Sequence, residues 1–186
     1  MPERADEILV VQGLTKRFDV SKPWLLRAFS GEGRRIVHAL EDVSFAIPRG
    51  TTFAIVGESG CGKSTIARCI TGILPPSAGT IAFMGFEMGT GRSSRAARDH
   101  RRHLQMIFQD PYASLNPRWR VGRIIAEPIV THHLIDDRKK IDARVAELLH
   151  LVGLAPQDAR KYPHQFSGGQ RQRISIARAL ASEPDF

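Results

Sequence analysis

The chain has 186 residues, 42% of them hydrophobic, enough for one buried core of ordinary domain size. Its formal net charge of +8 is compatible with a nucleic acid, an acidic membrane surface or a polyphosphate as partner, and chooses none of them. Disulfide-stapled and membrane-spanning classes are set aside. Only Cys61 and Cys69 are present, eight positions or about 12 Å apart along a helix, too far for a disulfide. The acidic opening MPERADEILV has too short an apolar run for a secretory signal or a span, so a reduced, cytosolic chain with at most peripheral membrane association is expected.

EILVVQGL, Glu7 to Leu14, is rich in β-branched residues, and RIVHALEDVSFAIPRG, Arg35 to Gly50, alternates before closing on Pro and Gly, which predicts an antiparallel β-rich start. Between them, Asp19 to Gly33 reads as a long loop with an apolar tip of Trp24, Leu25, Leu26 and Phe29, folded back on its own sheet or offered to a partner. The apolar run Thr52 to Val56 predicts a buried strand leading into GESGCGKST, Gly57 to Thr65. Ile66, Ala67, Ile70 and Leu74 then recur at helical spacing until Gly72, Pro75 and Pro76 stop the helix. SAGTIAFMG, Ser77 to Gly85, returns to strand character. Arg92, Arg95, Arg98, Arg101 and Arg102 follow as a solvated basic face.

LQMIF, Leu104 to Phe108, predicts a second buried strand, and from Asn116 onward the texture becomes helical. The clearest helix is Asp137 to Val152, where Ile141, Val145, Leu148, Leu149 and Val152 form one stripe and Gly153 closes it. An all-helical insert over 116–165 is expected.

Three stretches carry chemistry. In G-x-x-x-x-G-K-[ST], glycines let successive N–H groups turn toward an anion while the helix that follows directs its positive end to the same point. Gly57, Gly60 and Gly62 serve that turn, Lys63 reaches β- and γ-phosphates, Ser64 completes a Mg²⁺ shell, and Thr65 is placed for an α-phosphate. Glu58, Ser59 and Cys61 complete the loop. Hydrolysis also asks for a carboxylate beside the metal, and LQMIFQD offers Asp110, although Gln109 and Pro111 around it leave the strand-end position open to the glutamine. Finally, Ser167, Gly168 and Gly169 precede a helix with apolar positions Ile174, Ala177, Leu180 and Ala181, which is either a second anion site or a plain Ser N-cap.

The ordered landmarks GESGCGKST, FQDPYASLNPR and FSGGQRQR closely resemble the ATP-binding subunits of ABC transporters, and VGESGCGKST with QDPYASLNPR is similar to their dipeptide, oligopeptide and nickel importer branch. The resemblance covers about residues 8–186. It implies an α/β P-loop NTPase of ABC type with an N-terminal antiparallel β-subdomain and a helical subdomain at 116–165. Gly57 to Thr65 then looks like the Walker A loop, Gln109 like the Q-loop glutamine that contacts Mg²⁺, and Ser167, Gly168, Gly169 and Gln170 like the signature motif. Phe18 looks like the aromatic residue that stacks on adenine. Asp110 correspondingly loses its claim on the metal, and Phe166 stands where the family usually has Leu.

What the resemblance implies about function is a cytoplasmic-face ATPase that uses ATP and Mg²⁺. It would form a head-to-tail dimer with a second ATP-binding subunit, couple to transmembrane permease subunits, and bind no nucleic acid. Within the family an ATP-binding component of phosphonate degradation is the alternative, and outside it an ATP-dependent nucleic-acid-binding protein. The Walker B aspartate and the catalytic glutamate of the family are expected after ASEPDF, so residues 1–186 read as an incomplete domain that binds nucleotide without turning it over.

Overall fold

The structure is a computed structural model that describes residues 6–21, 23, 33–88, 100, 102–110 and 114–186. It divides into two compact units, Met1–His100 and Arg101–Phe186.

The first unit is organised by a four-stranded antiparallel sheet. Strand β1 (Glu7–Asp19) lies between β2 (Ile36–Pro48) and β3 (Ala78–Phe83), and β4 (Phe86–Glu87) extends the β3 edge. The β-branched start of β1 buries Ile8, Leu9, Val11 and Leu14, and Leu9 and Val11 stand opposite Phe83 and Ile81 of β3. Burial of these side chains is the main force holding the sheet, at about 1.5–3 kcal/mol each. β1 runs five residues past the predicted end because a bulge carries it through its polar half. The register shifts between Val11 and Leu14, where Gly13 has φ 60 and the opposing Asp42 has φ 50. The Gly13 N–H donates to Ser44 Oγ at 2.8 Å, so the bulged backbone is satisfied. β3 and β4 turn through Met84 and Gly85, both at positive φ, as a two-residue hairpin requires.

Helix α1 (Lys63–Ile70) follows the glycine loop and buries Ile66, Cys69 and Ile70. It ends earlier than its apolar spacing suggests: Thr71 and Gly72 close it, and Leu74 lies outside. The predicted strand Thr52 to Val56 is not formed. A strand needs a hydrogen-bonded neighbour, and none pairs with this run among the described residues. Phe53 stacks on Phe45 at 5.1 Å between ring centroids, while Val56 is 88% exposed.

The second unit is helical. It holds α2 (Val121–Thr131), α3 (Arg138–Leu151) and α4 (Gly168–Leu180), with short 3₁₀ turns at Pro156–Arg160 and Pro163–Gln165 between α3 and α4. Val121, Ile124, Ile125 and Ile129 of α2, Val145, Leu148 and Leu149 of α3, and Ile174 and Ala177 of α4 form one core with Phe166. The expected stripe of α3 is thus the buried one. Asp137 caps α3 by accepting from the Lys139 N–H at 2.7 Å, and Gly153 at φ 71 ends it. Phe166, in place of the usual Leu, is 5% exposed and keeps its place in the core.

LQMIF differs from expectation. Leu104 is buried and Ile107 is 45% exposed, and the run makes no strand; instead the Gln105 N–H donates to the Phe186 carbonyl at 2.9 Å. The loop tip Trp24, Leu25, Leu26 and Phe29, and Arg92, Arg95, Arg98 and Arg101 of the arginine run, lie outside the described residues.

Candidate functional site

The loop Gly57 to Thr65 folds as a cradle at the N-terminus of α1. Gly60 and Gly62 hold φ of 85 and 96, in the left-handed region where a Cβ is strained. At Gly62 a Cβ would also stand 2.6 Å from the Ala39 carbonyl oxygen and 2.7 Å from Leu40 of β2, so the helix start is pressed against the sheet. Gly62 is the N-cap of α1 and provides no side-chain cap for the N–H groups of the first turn. No acidic residue occupies that turn. The helix therefore presents its positive end without an internal anion to meet it.

Lys63 sits in the mouth of this cradle. Its ammonium donates to the carbonyls of Gly57 at 2.9 Å and Glu58 at 2.6 Å, with Cys61 Sγ at 3.5 Å. The Cys61 N–H is turned to the Glu58 carbonyl at 3.3 Å, which closes the loop tip. Ser59 and Ser64 are exposed and Thr65 is half-buried. A polyphosphate fits these groups: a helix start without a side-chain cap, glycines that admit close backbone approach, and one cation already inside the loop. A magnesium ion there would be held by phosphate oxygens, water and the Ser64 hydroxyl. Among the described residues no cluster of three or more His, Cys, Asp or Glu could hold a metal on its own.

Phe18 lies near the end of β1, half-buried, with Lys16 Nζ at 5.0 Å from its ring centroid. Lys16 is itself fixed by the Pro75 carbonyl at 2.8 Å. A cation over the ring occupies a position that a stacked base would contest.

The two cysteines differ as their positions require. Cys61 is exposed in the loop, whereas Cys69 is 1% exposed and burial pushes its thiol above the usual range, partly opposed by Lys16. An alkylating reagent at neutral pH is expected to label Cys61 alone in the folded protein, and MgATP to slow that labelling. Mass spectrometry of the labelled peptides checks this. Equal rates with and without nucleotide would mean that the loop does not wrap phosphate.

In the second unit, Ser167 is the N-cap of α4, and the capping box is complete. Ser167 Oγ accepts from the Gln170 N–H at 3.3 Å while Gln170 Oε1 accepts from the Ser167 N–H at 3.0 Å. Gly168 and Gly169 are exposed, and a Cβ at either would meet nothing within 4 Å. The plain structural role of Ser167 is therefore realised. Its exposure with two open glycines leaves the helix start accessible to a ligand as well.

Gln109 and Asp110 are both exposed. One connection near them has no signature in the sequence. Ser114 Oγ lies 3.1 Å from Ser175 Oγ, and Arg178 Nη1 donates to the Ser114 carbonyl at 2.7 Å. With Met106 and Phe108, these groups line a shallow pocket. The chain five residues after Gln109 is thus gripped by the helix that begins at Ser167. Ser and Arg on a helix face are too common to announce such a link from sequence.

A glycine cradle at the start of a helix, with its lysine inside and a capped Ser-Gly-Gly turn later in the chain, defines a P-loop nucleotide-binding protein. The chain belongs to the ABC transporter family, whose model matches residues 40–186. It is 48% identical to the glutathione import ATP-binding protein GsiA of Pectobacterium atrosepticum over 185 residues, covering 99% of this chain and 28% of that protein. It is 50% identical to the oligopeptide transport ATP-binding protein OppF of Bacillus subtilis over 153 residues, covering 82% of this chain and 50% of that one. The chain thus spans half or less of the length of these curated relatives. Among solved structures, a dimeric ATP-binding cassette in a post-hydrolysis state bound to ADP and Pi matches with a TM-score of 0.80 at 26% identity, over 95% of this chain and 70% of that one. The fold is accordingly that of an ABC-type P-loop ATPase cassette.

Proposed function

We propose that the chain is the ATP-binding, energy-coupling part of an importer of the peptide class. The observation that carries this is the cradle of Gly57 to Thr65, with Lys63 held inside it at the uncapped start of α1. The names of its relatives, which act in oligopeptide and glutathione import, support the substrate class.

In this reading Lys63 leaves the Gly57 and Glu58 carbonyls for β- and γ-phosphate oxygens, and Ser64 joins the magnesium shell. Glu58, Ser59, Cys61 and Thr65 complete the wall of the site. Phe18 gives its ring to adenine once Lys16 moves aside. MgATP supplies the phosphoanhydride whose cleavage drives the cycle in the whole protein. Gln109 is the water- and metal-side group of this chain.

The signature turn Ser167 to Gln170 faces nucleotide held by a second ATP-binding subunit, and the helical subdomain 116–165 docks on permease subunits. The link from Arg178 and Ser175 to Ser114 lets a displacement near Gln109 reach the signature helix. Placement at the cytoplasmic face of the membrane is peripheral, in keeping with the absence of any membrane-crossing helix among the described residues.

Ser167 separates the structural role from the functional one. In the full-length protein, Ser167→Ala removes one cap bond and is expected to cost about 1 kcal/mol of stability. Ser167→Arg is expected to keep MgATP binding and to abolish nucleotide-dependent dimerisation and turnover. Sedimentation velocity with MgATP reads the dimer. Normal dimerisation and turnover of the Arg variant would remove the second-site assignment.

A further inference from the structure

Lys16 is seated where the nucleotide reading needs open space. Two residues apart on β1, Lys16 and Phe18 share a side of the strand, and the ammonium stands 5.0 Å from the ring centroid. Arg17, between them, turns instead to Glu41 at 2.7 Å.

The acceptor that holds Lys16 is built into the fold. The Ser77 N–H donates to the Thr15 carbonyl at 2.8 Å, and Ser77 Oγ accepts from the Arg17 N–H at 3.0 Å. The segment that follows α1 is thereby pinned to β1 on both sides of Lys16, and its Pro75 carbonyl accepts from the ammonium at 2.8 Å. No carboxylate pairs with Lys16 among the described residues; Glu41 of β2 takes Arg17 at 2.7 Å and His38 at 2.6 Å. A neutral carbonyl and a ring seat the charge, and no counter-ion locks it there.

The same stretch of β1 lies close to the loop 57–65. Lys16 pairs with Leu40 of β2, and Leu40 is the side chain that a Cβ at Gly62 would meet at 2.7 Å. Phe18 stands two residues, or about 7 Å, further along the strand. A ring at that remove is within reach of the base of a nucleotide whose phosphates lie in the loop.

An ammonium and a base compete for one face of a ring. A cation over a ring lies within about 6 Å of its centroid, and a stacked ring lies at about 4.5–7 Å, so the two use the same space. We infer that Lys16 is an internal competitor of the base, displaced from the Phe18 ring when nucleotide stacks there, and that it holds nucleotide affinity below what the ring alone would give. This rests on the reading of Phe18 as the platform for the base. A lysine suits the part, because its compact, strongly hydrated ammonium on a flexible stem is readily taken up by water once it leaves the ring. The displacement is felt by the nucleoside and not by the polyphosphate.

Isothermal titration calorimetry of the full-length protein with MgATP, and with magnesium tripolyphosphate, which carries no base, tests this. For Lys16→Met, which keeps the stem and removes the charge, the ratio of MgATP to tripolyphosphate affinity is expected to rise about two- to fivefold, as loss of an exposed cation–π contact would give. Lys16→Arg is expected to lower the ratio, because a guanidinium stacks on a ring more firmly than an ammonium. In a Phe18→Ala background the Met substitution is expected to have no effect on it, since the ring through which the lysine acts is gone. A ratio that Lys16→Met lowers or leaves unmoved overturns the proposal, as does a rise with Lys16→Arg or a Met effect that persists without the ring. Phe18→Ala by itself separates the two readings. If it leaves the ratio where it was, the platform reading falls and the competition with it; if it lowers the ratio while Lys16→Met does nothing, the platform stands and the competition alone fails.

Discussion

Replacing Lys63 by Ala is expected to weaken MgATP binding by about a hundredfold or more, from the loss of at least two charge-assisted hydrogen bonds to phosphate, while leaving the melting temperature nearly unchanged. The two halves of this expectation rest on different observations. The ammonium contributes little to the fold, because the Gly57 and Glu58 carbonyls that it holds belong to an exposed loop and can turn to water. It contributes heavily to the site, because it is the cation inside a cradle whose other donors are backbone N–H groups. Isothermal titration calorimetry and thermal unfolding of the same preparation check both. Lys63→Arg is expected to restore charge without restoring affinity, since a planar fork replaces the compact ammonium that the Gly57 and Glu58 carbonyls hold. Wild-type affinity in the Ala variant would show that the loop is a turn between sheet and helix and nothing more.

Whatever depends on short-range chemistry was legible in the sequence. The stripe Ile141, Val145, Leu148 and Leu149 announced the buried face of α3, which is present, while the cap that Asp137 supplies is seen only in the structure. The turn of residues 57–65 was readable because its glycines answer to local backbone angles, and Gly60 and Gly62 take the left-handed φ that the spacing calls for. Ser167 was legible for the same reason, as a cap three residues before Gln170.

What needed a distant partner was read less well. Thr52 to Val56 and Leu104 to Phe108 have the composition of buried strands, yet a strand is a relation between two segments, and neither run has a paired neighbour among the described residues. The β-branched composition of β1 ends at Leu14, five residues before the strand does. Only the pairing with β2, and the Ser44 hydroxyl that receives the Gly13 N–H, turn that glycine into a bulge within a continuing strand. The grip of Arg178 on the Ser114 carbonyl spans 64 positions, and nothing local in either residue predicts it.

Gly62→Ala is expected to damage the fold and the site together, which no other substitution in the loop should do to the same degree. Its φ of 96 makes any Cβ strained, at about 1–2 kcal/mol. The new methyl would also stand 2.6 Å from the Ala39 carbonyl oxygen and 2.7 Å from Leu40, so β2 or the start of α1 has to move. Overpacking of this kind adds about 1–3 kcal/mol, for a total of about 3 kcal/mol. Because Gly62 is the N-cap of α1, the displacement also redirects the N–H groups of its first turn, and on the proposed reading nucleotide affinity should fall with stability. Gly60→Ala is the internal comparison. Its φ of 85 carries the same conformational strain, but a Cβ there meets nothing within 4 Å. It is therefore expected to cost about 1–2 kcal/mol, the strain alone. Urea unfolding of both variants, followed through helix content, measures the difference. Equal destabilisation of the two would mean that the close approach of Gly62 to β2 does not hold in solution, and the packing of the loop against the sheet would have to be withdrawn.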